Sequence, residues 1–248
     1  MIDNLFDYYS LRARLQPALL TLVPLALGTL SWSQSESRWV YALWSLLGTV
    51  GFTYFIANIA RNRGKNIEPG LWKSWNGAPT TQLLRHSGTA NSVFRERWHK
   101  QLSKLLGKPF PSIHEEKQDP AQADEIYAAV TRLLIGKTRD TKTFPLIYKE
   151  SVSYGFCRNL YAMRGLGITA TLLGFAASVS AGLWSLKEGK VEYLSWTCAI
   201  VCAALLLWWI FTVTSEWVKV PAMNYAQHLF ESTEKLTYAR KMAHLKRT

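Results

Sequence analysis

Hydrophobic residues along this chain gather into four windows that hold no charged side chain: Leu15–Trp32, Trp39–Ala60, Gly165–Leu186 and Tyr193–Ser215. Each is long enough to cross a hydrocarbon core, which takes about 20 largely apolar residues. Buried helices of soluble domains are usually shorter and keep a polar face, and none of the four windows has one. The windows pair into hairpins over 15–60 and 165–215, with a polar middle over 61–164. The expected fold is an all-α integral membrane protein: four transmembrane helices, with a helical cytoplasmic domain inserted between the two hairpins. Asp3 and Asp7 precede the first window and no small-x-small cleavage site follows it, so a retained helix is expected.

Shorter periodicities fill in the rest. Ile2, Leu5, Phe6 and Tyr9 recur at helical spacing, which predicts an interfacial amphipathic arm over 1–14, with Arg12 and Arg14 among headgroups. Gly64–Gly88 is rich in Gly, Pro, Asn and Ser and reads as loops with short turns, from which Trp72 and Trp75 are expected to bury. Ala90–Leu106 predicts a helix with Val93, Phe94, Trp98, Leu102 and Leu105 on one face and Arg95, Arg97, Lys100 and Lys104 opposite. Asp119-Pro120, a capping residue followed by proline, predicts a helix start. That helix should run to about Ile135 and bury Ile126, Val130, Leu133 and Leu134. Phe144-Pro145 opens another, with Ile147, Val152, Phe156 and Leu160 on its apolar face. No stretch alternates as a strand would. In the C-terminal helix over 216–248, Ala226, Leu229, Phe230, Thr233 and Leu236 share one side of Ala222–His244, suited either to the soluble domain or to another subunit.

Ala170, Gly174, Ser178 and Gly182 stand four apart in the third window and form one narrow stripe, flanked by Thr169, Thr171 and Ser180. Small stripes let membrane helices approach closely. Thr169, Gly174, Ser178 and Gly182 are therefore candidates for a packing surface, within the chain or between subunits around a pore.

Charge sets the orientation. The chain carries 29 Lys and Arg against 17 Asp and Glu, net +12. The short loops 33–38 and 187–192 hold only 3 of the 29, so both termini and the middle are expected on the cytoplasmic side. The middle itself holds 18 basic and 9 acidic residues, a local net of +9. Trp32, Trp39, Trp184, Tyr193 and Trp196 mark the outer ends as an aromatic belt, and Trp217 an inner edge. No ionisable group lies at mid-membrane, which argues against a coupled transporter or proton pump and leaves a channel compatible. Three cysteines, Cys157, Cys198 and Cys202, give neither a disulfide framework nor zinc spacing.

Enzyme motifs fail on inspection. Gly136-Lys137-Thr138 resembles the end of a phosphate loop, but Thr131 stands where the loop needs glycine, in a helical pattern. His114-Glu115 lacks its second histidine, because position 118 is Gln118. The chain is read as a non-enzyme without catalytic residues, metal or cofactor. What remains is a basic-aromatic set: Arg97, Arg139, Lys142, Tyr154, Arg158 and Arg164, with Arg85, Arg95, Trp98 and His99 beside them. Guanidinium forks bind phosphate and aromatic faces stack bases, so the first six are candidate ligand-binding residues for a nucleotide or a single-stranded oligonucleotide. Positive residues at cytoplasmic membrane ends also serve topology and anionic lipid, and Arg139-Asp140 can be a structural ion pair.

The order of hairpin, basic helical domain and hairpin resembles small four-span effectors of bacterial anti-phage systems. So do Asp119-Pro120, Ala123-Asp124, Tyr127, Thr138-Arg139-Asp140, Phe144-Pro145-Leu146, Tyr154-Gly155-Phe156 and Arg158-Asn159-Leu160. The nearest likeness is to the membrane effector of Hailong-type systems, which pair an effector with a nucleotidyltransferase. The resemblance implies a homo-oligomeric, channel-like effector that depolarises the membrane under control of nucleotide oligomers made by the partner. A non-conducting membrane scaffold that recruits cytoplasmic partners, or an organiser of anionic lipid, is the rival expectation.

Overall fold

The computed structural model describes residues 8–32 and 50–245, and within them every regular element is helical. A π-helical turn, Ser10–Leu15, leads directly into α1, Gln16–Leu30. There follow α2, Val50–Ser74; α3, Pro79–Leu84; α4, Ser92–Leu106; α5, Ile113–Gln118; and α6, Pro120–Lys137. The chain ends through α7, Pro145–Ala162; α8, Arg164–Lys187; α9, Tyr193–Phe211; and α10, Ser215–Leu245. Three helical stretches are long and apolar enough to cross a membrane: Ser10–Leu30, Arg164–Lys187 and Tyr193–Phe211. Of the second expected window, residues 39–49 lie outside the described residues, and 50–60 form the start of α2. Most of the amphipathic arm, the loop 33–38 and Trp39 lie outside them too.

The described residues divide into two compact units. The first takes the chain up to Glu68 together with Val152–Val218, and the second takes Pro69–Ser151 together with the chain from Lys219 on. Helices α2, α7 and α10 therefore contribute to both.

In the first unit α8 packs against both α1 and α9, and α1 also meets α9. The buried face of α8 reads Gly167, Ala170, Thr171, Gly174, Ser178, Ala181, Gly182 and Ser185. Leu166, Leu172, Leu173, Phe175 and Leu183 face outward on the same helix. Small residues between helices and large apolar ones outside is the arrangement a lipid solvent favours. The contact is tight enough to need glycine: a Cβ on Gly174 would lie 2.1 Å from the Pro24 carbonyl oxygen. Ser31 Oγ donates to Ser178 Oγ at 2.9 Å, and Ser195 Oγ donates to the Ser31 carbonyl at 3.1 Å. These bonds join α1, α8 and α9 at one level.

The second unit has its own core. Leu84, Leu102, Tyr127, Leu134, Leu229 and Phe230 are fully buried there. Each such side chain contributes about 1.5–3 kcal/mol of burial. The helix starts follow their local chemistry. Asn91 caps α4 through a bond from the Val93 N–H, and Asp119 caps α6 through one from the Gln122 N–H, with Pro120 at the first helical position. Ser112 and Glu115 form a reciprocal capping box on α5. Gly107, at φ 72°, ends α4 in the left-handed region, where glycine pays no steric penalty.

Several expectations change. Gly64–Gly88 is not mainly loop, because α2 runs on to Ser74 and α3 follows from Pro79. Gly64 serves helix packing, since a Cβ there would strike Asn159, and Pro69 lies inside α2 without ending it. Trp75 is buried, whereas Trp72 stays 36 % exposed. Val93 and Phe94 are exposed, and Phe94 stacks on Trp98 at 6.1 Å from outside the core. Leu133 is likewise exposed, since the phase of α6 is set by Ala123, Tyr127, Val130 and Leu134. The C-terminal helix, left open between two partners, packs Ala226, Leu229 and Phe230 into the core of the second unit.

Candidate functional site

Tyr154 and Arg158 stand four apart on α7, which places them on one helix face within reach of a common partner. That partner is Glu68 of α2. Arg158 Nη1 donates to Glu68 Oε1 at 2.9 Å, and the Tyr154 hydroxyl donates to the same oxygen at 2.6 Å. The guanidinium also lies over the Tyr154 ring, 5.4 Å from its centroid. The Arg158 side chain is 11 % exposed and that of Glu68 20 %. Arg158 Nε is buried and has no hydrogen-bond partner. One arm of the fork is therefore held by a carboxylate while another donor stands unused.

The next residue ties α7 to the turn that leads into α1. Pro17 has no N–H, so the Ala13 carbonyl cannot receive the usual bond from four residues on. Asn159 Nδ2 supplies the donor instead, at 2.6 Å. The π-helical turn coincides with this site, in keeping with a carbonyl diverted from the helical ladder. Asn159 Oδ1 is buried, without a hydrogen-bond partner, against Gly64. Burial pushes the neighbouring Cys157 thiol up to about 12, which makes it an inert packing group.

Arg164 opens α8 and reaches the end of α9. Its Nε donates to the Trp209 carbonyl at 3.1 Å and its Nη2 to the Ile210 carbonyl at 3.0 Å. Those carbonyls belong to the last turn of a helix, where a cation is favourable. Arg164 thus acts as a cap between α8 and α9.

The remaining expected ligand residues lie in the second unit. Arg97 pairs with Glu234 at 3.1 Å, both half exposed, an arrangement worth little in water. Arg139 and Lys142 are exposed and make no ion pair among the described residues. Asp140 does not pair with Arg139. Its carboxylate accepts from the Thr143 hydroxyl and the Lys142 N–H, which hold it below the usual carboxylate range. The six expected residues therefore fall into two groups: Tyr154, Arg158 and Arg164 in the first unit, and Arg97, Arg139 and Lys142 in the second. In the packing set, Gly174, Ser178 and Gly182 are buried within the chain against α1 and α9. Thr169 points outward and bonds its own helix at Gly165.

The second unit also holds a buried polar network that the sequence reading missed. The Glu116 carboxylate, 8 % exposed, accepts from the His86 N–H at 3.0 Å and from the Tyr127 hydroxyl at 2.7 Å. Burial and that bond raise the Tyr127 phenol above its usual range. Arg85 forks onto Asp124 through Nε at 2.8 Å and Nη2 at 2.5 Å, which raises the guanidinium further and takes it out of any ligand set. His99 packs edge-on to His86 at 5.0 Å and to Phe110 at 4.9 Å, with Nε2 on the Leu84 carbonyl at 2.7 Å. Among the described residues no group of three or more His, Cys, Asp or Glu is placed to hold a metal ion.

Burial lowers the His99 pKa from 6.5, opposed by the Leu84 bond and reinforced by His86. The unfolded chain protonates this ring near 6.5, while the folded chain holds it neutral to lower pH. The unfolded state then binds more protons, so this contribution is full above 6.5 and fades as pH falls through the folded value. The expected result is an unfolding midpoint of the second unit that drops on acidification below pH 6.5, and drops less in His99→Gln. Tryptophan fluorescence during denaturant titration reads it; equal acid sensitivity in both proteins would assign the effect elsewhere. No family model, curated protein or solved structure matches the chain.

Proposed function

We propose that this chain is a homo-oligomeric membrane effector in which an anionic ligand controls ion flow. The observation that carries the reading is the place of Arg158. It sits on α7, whose end passes through Met163 directly into span α8, and its fork carries one unused buried donor. A phosphate taken there acts on the helix that continues into the membrane. Because α1, α8 and α9 close on one another within one chain, the conducting path runs between copies, facing outward positions such as Thr169. A nucleotide or single-stranded oligonucleotide from a partner nucleotidyltransferase suits the guanidinium chemistry and the resemblance to anti-phage effectors. In that setting the protein lies in a bacterial inner membrane with both termini cytoplasmic, and its opening depolarises the cell.

The test is ion flux through liposomes holding the purified protein, with and without short oligonucleotides. Arg158→Lys keeps the charge but loses the planar fork. It is expected to weaken oligonucleotide binding about tenfold or more, the loss of one charged contact of roughly 1.5–3 kcal/mol. Ligand control of flux should go with it, while membrane insertion stays normal. Normal binding and control in both Arg158→Lys and Arg158→Ala would remove Arg158 from the site. No flux under any ligand would favour a scaffold that conducts nothing.

A further inference from the structure

Arg158 on α7 already has an occupant, the Glu68 carboxylate. Resting on the reading that Arg158 takes an anion, we propose that Glu68 is the built-in competitor of that ligand. Its carboxylate stands on the guanidinium where a phosphate-class anion binds, and the ligand enters by displacing it.

Three observations support the exchange. Glu68 engages the fork through one arm only, Nη1 to Oε1 at 2.9 Å, so the pair is not the two-armed form that resists exchange. By contrast, Arg85 and Asp124 use two arms, at 2.8 and 2.5 Å, as a permanent structural pair does. The unpartnered buried Nε of Arg158 is a donor that a phosphate oxygen satisfies and that the resident carboxylate leaves empty. The third observation is the Tyr154 hydroxyl, which holds the same Glu68 oxygen at 2.6 Å and so keeps the competitor in place. Displacement removes the charged tie between α2 and α7, while Gly64 stays packed on Asn159 and Asn159 keeps α7 joined to the turn before α1. The ligand thereby exchanges one helix contact and leaves the adjacent one intact.

The experiment measures binding of inorganic pyrophosphate to the full chain in nanodiscs by calorimetry, for wild type, Glu68→Gln, Tyr154→Phe and Arg158→Gln. Glu68→Gln removes the competing charge and is expected to tighten binding about tenfold or more, by the size of a charged hydrogen bond. Tyr154→Phe loosens the competitor and should tighten it a few-fold. Arg158→Gln should abolish binding, also when combined with Glu68→Gln. A folded Glu68→Gln leaves a buried cation without a counter-ion, so its melting temperature should rise with pyrophosphate more than that of wild type. Tightening that survives in the Glu68→Gln, Arg158→Gln double variant would overturn the proposal, because the gain would then come from net charge alone. Wild-type binding that needs Arg158 but is not improved by Glu68→Gln or Tyr154→Phe would overturn the competition and leave the anion site standing. No pyrophosphate binding by any of the proteins would overturn both.

Discussion

Gly174→Leu is expected to unfold the first unit of a single chain, whatever its state of assembly. At this position even a Cβ would lie 2.1 Å from the Pro24 oxygen and 2.6 Å from its carbonyl carbon. Those are backbone atoms of α1, which cannot swing aside as a side-chain tip does. The opposite wall is also glycine, since a Cβ on Gly28 would lie 2.9 Å from Gly174 Cα. Overpacking of an ordinary core costs roughly 1–3 kcal/mol. Here the helices must separate, which also breaks the Ser31–Ser178 bond, so the cost should reach or exceed the upper end of that range. Gly165→Leu is the control, because nothing lies within 4 Å of a Cβ there. Thermal unfolding in detergent should separate the two variants clearly. A Gly174→Leu protein that melts like wild type but no longer assembles would return the stripe to a subunit interface.

The second large effect belongs to Glu116. Removing its carboxylate in Glu116→Ala leaves the His86 N–H and the Tyr127 hydroxyl without their acceptor. A buried donor left unpaired costs about 1–3 kcal/mol, so the two together approach roughly 2–6 kcal/mol. Against a total domain stability of about 5–15 kcal/mol, that should largely unfold the second unit. Glu115 is the useful comparison. It is fully exposed and serves only the capping box, so Glu115→Ala should leave the second unit folded. Limited proteolysis of the full chain would show rapid loss of residues 69–151 in Glu116→Ala alone. Equal resistance in the two variants would mean that Glu116 is dispensable to the core.

These residues also mark the boundary of what the sequence discloses. The apolar windows, the Asp119-Pro120 start and the small stripe are local signals, because composition and spacing within one helix determine them. Gly174 was visible in this way, although the choice between neighbour and subunit needed the Pro24 carbonyl opposite it. Tyr154 and Arg158 could be grouped from their spacing. Their partner could not, since Glu68 lies 90 positions from Arg158 and sat in a stretch whose glycines and prolines suggested loop. Glu116 shows the same limit from the other side. In a polar, capped short helix its charge suggests solvent, and only the packing of α5 on α6 turns it inward to Tyr127. Pro17 is a clue that was readable and missed: a proline inside a helix announces a carbonyl in need of another donor.

That carbonyl has a consequence for how the protein is made. Asn159, the partner of Ala13, is translated 146 positions after it. At synthesis rates of about 5–20 residues per second, roughly seven to thirty seconds separate the two. Throughout that interval the Ala13 carbonyl lacks the donor that Asn159 supplies, a shortfall that interfacial water makes good and hydrocarbon does not. The expected order of assembly keeps the N-terminal end of this helix wet until α7 has been translated.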